Sequence, residues 1–146
     1  MTASRFTLEI QRASRASHVP SDRRIRAWAR AALTGRATVT LRFVAEAEAR
    51  RLNLEYRGRD YATNVLTFVY GRRPLSGDVI VCAPVVAREA REQGKPVEHH
   101  YAHLVVHGLL HLQGLDHETD AEARVMERRE ARVLARLGIA DPYVAA

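Results

Sequence analysis

Apolar and polar positions alternate from Phe6 to Ile10 and again at Val39, Leu41 and Phe43. Strict alternation marks a strand with one buried face. Between these two runs the period changes. Ile25, Trp28, Ala29, Ala32 and Leu33 recur at helical steps, with Ser21 or Asp22 as a cap and Gly35 as a stop. A second helix is expected from about Glu46 to Tyr56, presenting Ala49, Leu52 and Tyr56 on one side. Val65 to Val69 and Val79 to Cys82 are short apolar runs, joined through Gly71-Arg72-Arg73-Pro74 and Ser76-Gly77-Asp78. That is the composition of a hairpin. Pro84 suits the first turn of a helix that reaches Gln93 and ends at Gly94, and an apolar helix follows from Val97 to Gln113. Thr119-Asp120-Ala121-Glu122 has the spacing of a capping box. The last helix puts Val125, Met126, Val133, Leu134 and Leu137 on its buried side and stops at Gly138. Its charged residues Glu127, Arg128, Arg129 and Glu130 read as a solvated face. No repeat, linker or low-complexity run interrupts this order. It predicts one α+β domain over residues 1–146, with about four strands and about five helices.

Composition narrows the class. A chain of 146 residues, 47% of them hydrophobic, can bury one core without staples. Cys82 is the one cysteine, so no internal disulfide forms; in a valine-rich run it reads as a small core residue. Met1 to Gln11 has no uninterrupted apolar core and no run is long enough to span a membrane, which predicts a cytoplasmic protein with no membrane partner. The net charge is +6. Lys95 is the only lysine among the 23 basic residues, a bias that a GC-rich genome produces. The positive sum itself favours polyanion partners, nucleic acid among them.

The candidate chemistry lies in His107-Gly108-Leu109-Leu110-His111-Leu112-Gln113-Gly114-Leu115-Asp116-His117. Residues four apart share a helix face, so His107 and His111 point the same way. A left-handed glycine at Gly114 can end the helix and swing His117 back toward them. Three imidazoles on one point form the ligand set of an open metal site. Zinc proteases carry a glutamate base directly after the first histidine; here that residue is Gly108. His103 shares the helix face but cannot join the same ion from a linear row, and reads as a supporting or core residue. His99 and His100 are expected to be exposed near the helix start, and His18 has no evident partner.

Leu52-Asn53-x-x-Tyr56-Arg57-Gly58-x-Asp60, Thr63-Asn64-Val65-Leu66-Thr67-Phe68, Gly77-Asp78-Val79-Ile80 and the histidine motif stand in this order along the chain. Together these four blocks resemble the YbeY family, bacterial endoribonucleases and rRNA maturation factors. The match runs over roughly positions 40 to 138, most of the chain. The family often has serine and proline near Leu66-Thr67-Phe68-Val69; Thr67 keeps the hydroxyl and Val69 replaces the proline. The N-terminal third matches loosely.

The resemblance implies a mixed sheet flanked by helices, with a metal in a cleft. It implies His107, His111 and His117 as ligands of one zinc ion, and Arg57 as the functional residue beside it. Imidazole also suits nickel or another divalent metal. The implied activity is cleavage of single-stranded RNA in maturation of the small-subunit rRNA 3′ end and in ribosome quality control. The implied partners are ribosomal RNA, the small ribosomal subunit and an Era-type GTPase. Arg57 suits a phosphate clamp by its planar, permanently charged fork. Tyr56 and Tyr61 either stack unpaired bases or sit as aromatics at the edge of the core. Asp116 either orients an imidazole or caps the next turn. A ribosome-assembly factor with a structural metal and no catalysis is the alternative, and a metallopeptidase is disfavoured by Gly108.

Overall fold

The computed structural model describes residues 5–16 and 18–144. The first four residues of the Met1–Gln11 stretch considered above lie outside that range. The elements run β1 (Phe6–Ala13), α1 (Asp22–Ala32), β2 (Ala37–Val44), α2 (Glu46–Arg57), β3 (Val65–Arg72), β4 (Leu75–Cys82), α3 (Ala83–Gln93), α4 (Val97–Leu112) and α5 (Asp120–Arg136). The strands form one mixed sheet in the order β1-β2-β4-β3. β2 pairs in parallel with β1 and β4, and β3 is antiparallel to β4. The expected hairpin and α+β class are therefore present, and the strands extend further than the apolar runs alone predict.

Burial explains the sequence pattern. β2 and β4 are central, and near-continuous buried runs such as Val79 to Cys82 are what strands covered on both faces require. The main core joins Val39, Leu41, Phe43, Val79 and Val81 to α1, α4 and α5. A smaller cluster on the opposite face joins Val44, Ile80, Cys82 and Leu66 to Ala49 of α2. α4 packs against α1, α3, α5 and the strands β3 and β4. It is apolar nearly all round, as a helix surrounded by protein must be.

Two close approaches fix α4 on the sheet. A Cβ added at Gly108 would meet Val79 Cγ1 at 2.7 Å, and one at Gly77 would meet the Phe68 carbonyl oxygen at 2.6 Å and a Leu112 methyl at 2.9 Å. Gly108 is thus a packing residue: the position where a zinc protease keeps its glutamate is filled here by the sheet.

Several ends differ from the sequence reading. α1 does not use Gly35 as its stop. Leu33 turns extended after Ala32, and the Gln113 side chain takes over the cap. Its Nε2 donates to the Ala32 carbonyl at 2.8 Å, and its Oε1 accepts from the Thr34 N–H and hydroxyl at 3.1 and 2.9 Å. The ends of α1 and α4 are tied together by this one amide. His18 accordingly is not partnerless: its Nδ1 lies 2.9 Å from the buried Tyr101 hydroxyl. His100 is buried rather than exposed, with Nε2 2.8 Å from Glu89, while His99 is half-buried. Hydrogen bonding to His100 holds the Glu89 carboxyl below its ordinary value, against the opposing effect of burial.

The close contact at Gly108 yields a stability prediction. Gly108→Ala gains about 1 kcal/mol of helix propensity but overpacks the Val79 contact at a cost of about 1–3 kcal/mol. The variant should melt a few degrees lower than wild type in a calorimetric scan. A higher melting temperature would show that α4 is free to lift from the sheet.

Candidate metal centre

The C-terminal end of α4 builds the site. Gly114 adopts a positive φ of 105°, and Leu115 N–H bonds back to the Leu110 carbonyl at 3.3 Å. This is the helix-ending turn that glycine permits, and it reverses the chain as the sequence pattern requires. Asp116 Oδ1 then accepts the His117 N–H at 2.8 Å, so its observed bond is to the backbone turn. The result is convergence. The ring centre of His117 lies 5.4 Å from that of His107 and 5.9 Å from that of His111.

Those separations suit a shared ion. Imidazole nitrogens bind zinc at about 2.0–2.1 Å, which spaces the ring centres of a tetrahedral set by about 5 Å. Among the described residues the donor atoms that lie within 4.8 Å of one another are those of His111, Asp116 and His117, not the three imidazoles. His107 stands outside that group, with its ring beside that of His117.

Hydrogen bonds to the ring nitrogens set which atoms are free to bind. His111 Nδ1 lies 2.9 Å from the Leu115 carbonyl. A carbonyl only accepts, so Nδ1 carries the proton and Nε2 presents its lone pair. Desolvation lowers the pKa of His111, which favours the neutral ring that a metal needs. His107 Nδ1 hydrogen-bonds to Oε1 of Glu130, again leaving Nε2 free. Both rings therefore have the outer support that orients metal-binding histidines.

Glu130 is the residue that the sequence reading placed wrongly. It is not on a solvated face; it is fully buried. Its Oε2 also meets His103 Nε2 at 3.2 Å and accepts a hydrogen bond from the Tyr143 hydroxyl. Burial pushes its carboxyl up, but bonds from His103 and His107, the charge of His107 and the Tyr143 bond outweigh that and hold it at about 2. The signal was available: Met126, Glu130, Val133 and Leu134 are spaced i, i+4, i+7 and i+8, the buried stripe of α5. Val125, expected on that stripe, is exposed instead. His103 takes the supporting place that its position on α4 suggested.

Arg57 reaches the same place from the opposite wall. It is the last residue of α2, before Gly58 at φ 66°. The loop that follows is pinned by residues of the sequence motifs. Asn53 Nδ2 donates to the Tyr61 carbonyl at 2.8 Å, Arg50 holds Asp60 through two bonds at 2.6 and 3.1 Å, and Asn64 bonds to Glu89 at 3.1 Å. Asn53, not Tyr56, is the buried residue here. Arg57, Thr67, His107, His111 and His117 line one open cleft of about 560 Å³. Among the described residues Arg57 has no ion-pair partner, although Asp116 and Glu118 also line the cleft. Tyr56 is exposed on the rim and packs edge-on against Phe68 at 5.1 Å. Tyr61 is exposed as well.

A mixed sheet carrying an open cleft, with histidines on one wall and an arginine without an ion-pair partner on the other, defines a class of metal-binding hydrolases. Comparison with known proteins narrows it. The profile of the family described as "Endoribonuclease YbeY" matches residues 10–138, and the chain belongs to that family. It is 59% identical over 145 residues to the endoribonuclease YbeY of Aromatoleum aromaticum, covering 97% of this chain and 94% of that protein. To the protein of the same name in Thiobacillus denitrificans it is 54% identical, covering 97% and 98%. A Thermotoga maritima protein solved in solution superposes with a TM-score of 0.54 at 24% identity, over 95% of this chain and all of that one, and supports the fold. The match reaches well into the N-terminal third, beyond where the motifs alone resemble the family. Among the described residues no helix is long and apolar enough to cross a membrane.

The buried carboxylate predicts an acid limb of stability. Its folded value of about 2 lies below the ordinary 4.5, so its contribution is complete above pH 4.5 and is lost as the pH falls toward 2. In metal-free protein Glu130→Gln should cost about 3 kcal/mol at neutral pH, read by urea unfolding. The gap to wild type should close across that acid window; a gap independent of pH would contradict the ionised state assigned to Glu130.

Proposed function

We propose that this chain is a single-strand-specific, metal-dependent endoribonuclease in which His107, His111 and His117 hold one zinc ion and Arg57 binds the phosphate under attack. The observation that carries this reading is the shared cleft: imidazoles with fixed Nδ1 protons on one wall, an unpaired guanidinium on the other. The names of its relatives agree with it. When bound, zinc supplies Lewis acidity toward a phosphoryl oxygen and makes water acidic enough to act near neutral pH.

The chain's own residues do the rest. Glu130 and the Leu115 carbonyl keep the Nδ1 protons of His107 and His111 in place, so Nε2 stays aimed at the cleft. Arg57 offers its planar fork to two phosphate oxygens and stabilises the charge that builds on them. Its approach depends on the pinned loop after α2. Tyr56, exposed on the rim, offers a ring to an unpaired base. A single strand fits this role because its bases are free to splay onto such a rim.

Ribosomal RNA, in particular the small-subunit 3′ end, is the substrate this reading assigns, with the small ribosomal subunit and an Era-type GTPase as partners in the cytoplasm. The net charge of +6 suits such polyanionic surroundings. A second reading, an assembly factor with a structural metal, draws on Gly108, which leaves no carboxylate base beside the first histidine.

Arg57→Ala separates the two. It should lower cleavage of a single-stranded rRNA fragment by about 10²–10³-fold, while zinc content and melting temperature stay at wild-type levels. Equal cleavage by both proteins, or none by either, supports the assembly-factor reading. His111→Ala should bind less than the wild-type one zinc per chain, measured by elemental analysis; unchanged stoichiometry would remove it from the ligand set.

A further inference from the structure

α5 has a second pattern that the cleft does not use. Ala123, Met126, Glu127 and Glu130 face the cleft side. On the other side Arg124, Arg128, Arg132 and Arg136 recur at every fourth residue, and all four are exposed. Arg12, Arg24, Arg42, Arg50 and Arg88 each meet a carboxylate. Among the described residues none of the four on α5 does, nor do their side chains make any other hydrogen bond.

Such a row works against its own helix. Like charges at i and i+4 repel and weaken it; the acidic residues near Arg124 and the helix C-terminus beside Arg136 offset that repulsion only at the two ends of the row. An external polyanion offsets it along the whole row. A step of four residues rises about 6 Å and turns about 40° further round the axis, so the row climbs about 18 Å obliquely along α5. Arg124 is its near end, next to Ala123, which lines a cavity adjoining the cleft at Arg57, His107 and His117; Arg136 is its far end on the outer surface. Guanidinium forks at such regular intervals suit a linear chain of phosphates, which they grip in pairs of hydrogen bonds.

We propose that this arginine row is a second RNA contact, outside the cleft, which holds the sugar–phosphate backbone flanking the cleaved segment. This rests on the ribonuclease reading above and adds a length dependence to it. RNA that fills only the cleft gains nothing from the row. RNA that extends past Arg124 binds more tightly, and more steeply with salt, because each phosphate neutralised releases counterions.

The test compares wild type with the Arg124→Gln, Arg128→Gln, Arg132→Gln, Arg136→Gln variant, both zinc-loaded. The probes are a short oligouridylate confined to the cleft, a longer oligouridylate, and the longer one with a flanking duplex. On the longer probes the variant should show a KM raised about tenfold, and a plot of log affinity against log salt shallower by about 2–3, near 0.7 for each lost contact. Cleavage of the short probe and the kcat on all probes should be unchanged, and the melting temperature should equal or exceed that of wild type. The single-strand and duplex arms reveal which form of backbone lies on the row. Identical slopes and KM values on every long probe would overturn the proposal while leaving the ribonuclease reading intact. So would unchanged RNA binding with weakened binding of poly-glutamate, which would assign the row to an acidic protein. A wild type that neither binds nor cleaves RNA rejects both readings. If the fourfold variant fails to fold, Arg132→Gln with Arg136→Gln should still flatten the slope by about 1–1.5.

Discussion

The buried carboxylate of Glu130 is the constraint on which the site depends. It comes from α5, yet its partners are His103 and His107 on α4 and Tyr143 beyond α5. One ionised group thus fixes the relative placement of two helices and the chain that follows. A carboxylate buried without partners would be strongly destabilising, so each of these bonds is required once Glu130 is inside. The same bonds decide the chemistry, because an acceptor at His107 Nδ1 directs the proton there and leaves Nε2 to the cleft. Fold stability and ligand geometry are two consequences of one interaction.

The remaining geometry follows from how closely α4 lies on the sheet. Gly108 and Gly77 remove the side chains that would hold helix and strands apart, and Gln113 fastens the end of α4 to the end of α1. With α4 fixed along its length, the reversal at Gly114 carries His117 to a defined place. On the facing wall, the buried Asn53 and the Arg50–Asp60 pair hold the loop behind Arg57. The exposed Arg50–Asp60 pair contributes little stability by itself, but together with Asn53 it limits where the loop can go. Arg57 is left exposed and, among the described residues, without an ion-pair partner.

Much of this was legible in the sequence. Strand alternation, the capping box at Thr119 and Glu122, and the glycine after the H-x3-H pair all carry local physical signals, and the elements appear where those signals lie. The approach of the His117 ring to those of His107 and His111 could be read because one helix and one turn determine it, whereas the place of Asp116 beside His111 and His117 was not. Contacts between distant segments were harder. The His18–Tyr101 and His100–Glu89 pairs depend on packing that no local period encodes, so His18 looked unpartnered and His100 exposed. The cap on α1 came from Gln113, remote in sequence, in place of Gly35. Glu130 was misread for another reason: its charge was given more weight than its place on the apolar stripe. A charged residue at a core position of an amphipathic helix is a signal for a buried partner, and here there are three.

The most direct test of this account is an anomalous-scattering measurement at the zinc edge on crystals grown with the metal. One peak per chain is expected, bound by Nε2 of His107, His111 and His117, with His107 Nδ1 still on Glu130. A peak held by His111, Asp116 and His117 while His107 stands apart would contradict the central role of the Glu130–His107 contact. Absence of a peak from the cleft would contradict the metal centre itself.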